Sequence, residues 1–134
     1  MEEKFKILVG YDGTDSSKST IEVVRVHAKA HNAKVFVIKS HKTGTKDESE
    51  SIDASEKVLD EAKNIFETDN IECETHLIIR GNSPGEDLVE FAEKNKVDLV
   101  FVGVKMKSKV GKLIFSSNAQ HVVINAPCPV VTVK

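Results

Sequence analysis

VDLVFVGVKMKSKVGKLIFSSNAQHVV, residues 97–123, decides the fold. Residues 97–102 are apolar apart from Asp98 and rich in valine, and Gly103 follows them. Such a run predicts a strand buried on both faces. At the other end, Ala119, Val122 and Val123 recur at helical spacing and predict an amphipathic helix. Strand, loop and helix in that order begin a parallel crossover unit. The loop holds two glycines, Gly103 and Gly111, and four lysines, Lys105, Lys107, Lys109 and Lys112. In an α/β protein a phosphate-binding loop sits here. A solvated basic connector is the plainer alternative.

The same alternation extends through the rest of the chain. Residues 6–10 (KILVG) and 34–38 (KVFVI) predict short buried strands, and residues 73–79 alternate as a third. Between them, Asp15, Ser16 and Ser17 offer caps for a helix carrying Ile21, Val24 and Ala28, and a second helix carries Val58, Leu59, Ala62, Ile65 and Phe66. Ser83, Pro84 and Glu86 combine a cap, a first-turn proline and a capping box, followed by Leu88, Val89, Phe91 and Ala92. Pro127 and Pro129 end the last helix, and residues 130–133 (VVTV) close the chain as strand five. Strands alternating with helices predict an open, doubly wound parallel sheet with helices on both faces. Ligands then bind at the carboxyl ends of the strands, where strand order reverses.

Composition narrows the classes. A chain of 134 residues suits one domain, 1–134, and its formal charge of −2 argues against a nucleic-acid partner. No apolar run reaches the roughly 18 to 20 residues of a membrane span. Cys73 and Cys128 form no CxxC or metal-type pair, which suits a reducing cytoplasm. Cys128, between prolines, reads as buried rather than reactive. His27 and His31 stand four apart, but no carboxylate or cysteine nearby in sequence completes a metal site. No G-x-S-x-G nucleophile motif is present.

ILVGYDGTDSS, GNSPGEDLVEFAEKNKVDLVFVG and APCPVVTV together resemble the universal stress protein family, in its single-domain UspA-like form. The resemblance covers the whole chain. It implies strand order 3-2-1-4-5 and a homodimer paired through the C-terminal strand. ATP-binding members carry G-x2-G-x9-G-[ST] after strand four. Without gaps, that motif falls on Gly103, Met106, Ser116 and Ser117, so the first glycine and the final hydroxyl match. Residues 107–115 (KSKVGKLIF) resemble a basic variant of this loop, R-S-x-x-G-K-L-x-F, although Ser116 departs from that variant too.

The candidate nucleotide site is therefore Asp12, Ser40, Gly103, Met106, Lys107, Ser116, Ser117 and Asn118. Asp12 accepts from the adenine or ribose, or else holds the turn at Gly13 and Thr14. Ser40 stands where the family lines the adenine. Tyr11 stacks on the ligand or covers the sheet edge. Gly103 is expected to make the tight exit from strand four, and Gly111 to add flexibility further on. Ser117 and Asn118 head the last helix, whose dipole attracts an anion. Side chains at Met106 and Ser116 take space from the phosphates. Residues 42–51 (KTGTKDESES) are expected to be a mobile loop and a lid. The function expected is a regulatory module with weak or atypical ATP binding, or a nucleotide-free dimeric scaffold for protein partners. ATP hydrolysis ranks last, because the loop supplies no base beyond Asp12.

Overall fold

A computed structural model describes residues 4–42, 48–80, 82–107 and 112–134. The elements alternate as β1 (Lys6–Gly10), α1 (Asp15–His31), β2 (Lys34–Lys42), α2 (Glu48–Thr68), β3 (Glu72–Arg80), α3 (Pro84–Asn95) and β4 (Leu99–Gly103). A small ribbon of β5 (Lys105–Lys107) and β6 (Lys112–Ile114) follows, then α4 (Ser117–Asn125) and β7 (Val130–Val133). Five strands form one sheet in the order β3-β2-β1-β4-β7, every pair parallel. This is the expected 3-2-1-4-5 architecture.

The period of two along each strand sorts the core into two layers. Ile7 and Val9 of β1, Val35 and Val37 of β2, and Phe101 of β4 face α1 and α2, meeting Ile21, Val24, Ala62 and Phe66. Their neighbours Leu8, Phe36, Ile38, Val100 and Val102 face the opposite way, onto Leu88 and Ala92 of α3 and Val122 of α4. Strands buried on both faces need apolar residues at both parities, which is why they read as continuous runs.

Several boundaries differ from expectation. Thr14, not Asp15 to Ser17, caps α1, accepting from the Ser17 N–H. Strand β2 continues to Lys42 because β3 pairs with it over that whole length. Strand β4 starts at Leu99, because Lys96 takes the left-handed conformation (φ 51°) that ends α3 and the Val97 N–H returns to the Ala92 carbonyl. The basic stretch contains the β5–β6 ribbon, with Lys105 opposite Ile114 and Lys107 opposite Lys112. Of the expected lid, Lys42 belongs to β2 and residues 48–51 to α2; residues 43–47 lie outside the described residues, as do Gly111 and Lys109.

Candidate functional site

Strand order reverses between β1 and β4, because the chain leaves β1 toward β2 but leaves β4 toward β7. The two crossovers start on opposite faces, so a crevice opens between them at the carboxyl ends of the strands. A cavity of about 390 Å³ lies there. One wall carries Tyr11 and Asp12, just past β1, and Ser40 of β2. The other carries Gly103, Lys105, Ser116 and Asn118.

Unequal strand lengths shape the first wall. Pairing of β2 with β1 ends at Ile38, whose carbonyl accepts from the Tyr11 N–H at 3.0 Å. Ser40 has the same parity as Ile38 but no residue of β1 opposite it. Its backbone N–H and C=O therefore face the crevice. The Ser40 hydroxyl turns toward α3 and donates to Asp87 Oδ2 at 2.7 Å.

Asp12 holds the turn and also stands on the cavity wall. Its Oδ1 accepts from the Thr14 N–H at 3.0 Å and from the Thr14 hydroxyl at 2.6 Å, and its carboxylate stands on the cavity wall. Partial burial opposes its charge, but the bonds from Thr14, with Ser17 and the Lys39 charge, together hold the carboxyl below the usual range. Tyr11 is a core residue of the α1–α2 layer, 3% exposed, that also reaches the cavity. Burial, Glu61 and Asp12 all push its phenol upward, so it stays a neutral donor.

The second wall is built around helix ends. Ser116 caps α4, its side chain accepting from the Ala119 N–H at 3.1 Å. Asn118 Oδ1 accepts from the Gly85 N–H at 3.0 Å, tying the head of α4 to the head of α3. Gly103 has no positive φ and makes no tight turn, which corrects the expectation for it. A Cβ there would lie 2.7 Å from Ser16 Oγ and 2.8 Å from Thr20 Oγ1, so it is the approach of α1 that requires glycine.

Of the expected site residues, Asp12, Ser40, Gly103, Ser116 and Asn118 meet around this cavity, and Ser117 does not line it. The backbone of Met106 and Lys107 lies in β5, and their side chains are outside the described part. Asp87 and the hydroxyls of α1 were not expected. Ser83-Pro84-Gly85-Glu86 announces a helix start, but the partnership of Asp87 with a residue 47 positions away leaves no local signal. His27 and His31 turn to structural partners, the Val23 carbonyl and the Phe5 ring. No group of three metal-ligating side chains occurs among the described residues. Cys128 is half-buried rather than buried as expected, and desolvation still raises its thiol, as it raises that of Cys73 to about 12.

The sequence profile of the universal stress protein family matches residues 5–134. The chain belongs to this family. A universal stress protein of Thermus aquaticus is 31% identical over 137 residues, spanning 96% of this chain and 97% of that one. Among solved structures, a universal stress protein from Archaeoglobus fulgidus superimposes with a TM-score of 0.84 at 27% identity, over 97% of this chain and 93% of that chain. A universal stress protein from A. fulgidus solved in complex with dAMP superimposes at 0.81 with 28% identity, over 97% and 98% of the two chains. The strand order 3-2-1-4-5 is thus that of the universal stress protein fold. No helix among the described residues is long and apolar enough to cross a membrane.

Proposed function

We propose that the crevice binds an adenine nucleotide and that the protein is a regulatory stress module without strong catalysis. The observation that carries this reading is the division of the cavity into two chemically distinct walls. The α4 wall suits phosphate: the Ser117 and Asn118 N–H groups, which begin the helix ahead of the Ala119 N–H held by Ser116, the positive end of the helix dipole, and Lys105. The opposite wall, with the free β2 edge at Ser40 and the Asp12 carboxylate, suits the polar rim of a base. A volume of about 390 Å³ falls in the range of small-molecule sites. The dAMP complex of the A. fulgidus relative supports the same ligand class here.

Asp12 is the only carboxylate among the described residues lining the cavity, and one of its oxygens is engaged by Thr14. A base and a metal site for hydrolysis would both have to come from it, so binding is proposed rather than turnover. In this reading the physiological complex is a homodimer joined through β7.

Calorimetric titration with AMP and ATP is the direct test, together with mass analysis of the purified protein for retained nucleotide. Binding with a dissociation constant of about a millimolar or tighter, about −4 kcal/mol, is expected. Lys105→Ala should weaken ATP more than AMP and flatten the salt dependence. Changing Met106 and Ser116 together to Gly should strengthen ATP binding, at a cost of only a few tenths of a kcal/mol for the α4 cap. Absence of binding at millimolar nucleotide would leave the scaffold reading in its place.

A further inference from the structure

The Ser40 hydroxyl owns a single proton, and Asp87 Oδ2 takes it at 2.7 Å. Asp87 lies in the first turn of α3, where the helix dipole favours an acidic side chain, and it is 2% exposed. Its other oxygen, Oδ1, is buried without a hydrogen-bond partner. Rotation of the Ser40 hydroxyl away from Asp87 would strand the second oxygen as well, a cost larger than a solvent-facing hydrogen bond returns. The hydroxyl is therefore fixed as a donor toward α3. What it can offer the cavity is lone pairs only. Asp12, on the same wall, also accepts.

We propose that the Ser40–Asp87 pair fixes the hydrogen-bond polarity of the Ser40 side chain and thereby favours a ring presenting an amino group, a 6-aminopurine over its 6-oxo counterpart. The proposal rests on the nucleotide reading above and adds to it a specificity device in which Asp87, outside the cavity lining, acts through Ser40 on the wall. A 6-oxo ring that places its carbonyl oxygen against Ser40 Oγ meets an acceptor that cannot turn, a mismatch more discriminating than a difference in fit. The other donors of this wall, the Ser40 N–H and the Tyr11 hydroxyl, are present in every variant. With Asp87 absent, the Ser40 hydroxyl regains its rotor and serves either ring. The backbone N–H and C=O of Ser40 are the same in every side-chain variant, so substitutions at the pair isolate the side-chain contribution.

The test is titration of AMP and IMP into the full chain, the Ser40→Ala variant and the Asp87→Asn variant. The parent should prefer AMP. Ser40→Ala should lower the AMP-to-IMP affinity ratio by about fivefold or more, the size of one hydrogen bond. Asp87→Asn can donate its amide to Ser40 Oγ and release the hydroxyl, so it should lower the ratio chiefly by tightening IMP. If Ser40→Ala fails to fold with Asp87 orphaned, the double variant Ser40→Ala/Asp87→Leu removes both polar groups and should show the same loss of preference. An unchanged ratio in the folded variants overturns this proposal and leaves the nucleotide reading intact. Failure of the parent to bind either nucleotide overturns both.

Discussion

Asp12 carries the clearest pH signature at the level of single residues. Its carboxyl sits below the usual range in the folded protein, because Thr14, Ser17 and Lys39 together outweigh the effect of burial. A group of this kind contributes stability above its unfolded value, about 3.9, and loses that contribution as pH falls through the folded value. Asp12→Asn keeps an acceptor for Thr14 but removes the titration. Urea unfolding between about pH 2 and pH 5 should therefore show a shallower acid limb in the variant. The flattening will be partial, since Arg25 lowers Asp69 and Lys34 lowers Glu74 in the same direction. A limb as steep as that of the parent would show that Thr14 does not perturb Asp12. The turn role of Asp12 and its place at the crevice were legible in the sequence, since an acid at a strand tip before Gly13 and Thr14 lies next to both. For Gly103 the sequence marked the position but not the cause. A glycine required by a turn and one required by the hydroxyls of Ser16 and Thr20 are written with the same letter.

Elements depend on one another through the heads of α3 and α4. A Cβ on Gly85 would meet the Asn118 backbone, 2.8 Å from the carbonyl oxygen and 3.0 Å from Cα, in addition to Asn118 Oδ1 at 3.2 Å. Helix propensity alone favours alanine over glycine by up to about 1 kcal/mol. Forcing two helix ends apart costs about 1–3 kcal/mol. Gly85→Ala is expected to destabilise the protein and also to weaken nucleotide binding, because Asn118 stands on the cavity wall. A stabilised Gly85→Ala protein in thermal unfolding would refute the close approach. Strands β1, β3 and β7 and the apolar faces of the helices were legible because burial on a sheet or helix writes its own period. The overrun of β2 was not, since residues 39–42 are polar or charged apart from their pairing with β3. The β5–β6 ribbon escaped for a related reason. Three-residue strands are too short to show a period.

For the whole molecule, assembly turns on β7. Carbonyls of Pro129 and Val133 point at β4, accepting from the Val100 and Val104 N–H groups, so Thr132 turns its own N–H to the open edge. Thr132→Pro removes that edge donor and spares the β4 ladder. Light scattering at micromolar concentration should give about twice the chain mass for the parent and a lower value for Thr132→Pro. A parent that stays monomeric after a tenfold increase in concentration would remove the dimer. The strand order has another consequence, which concerns synthesis. Strand β1 is made before both of its neighbours, and β2 reaches it soon, with Lys34 opposite Lys6. The other flank waits for β4: the Lys6 N–H finds the Asp98 carboxylate across 92 positions of sequence. Until then a nascent β3–β2–β1 sheet presents β1 as a bare edge, with Leu8 lacking Val100 beside it and Val122 of α4 in its layer. Such edges recruit other chains. Ribosome-released fragments ending near residue 95 should therefore aggregate during translation in vitro, whereas chains reaching residue 134 remain in the supernatant.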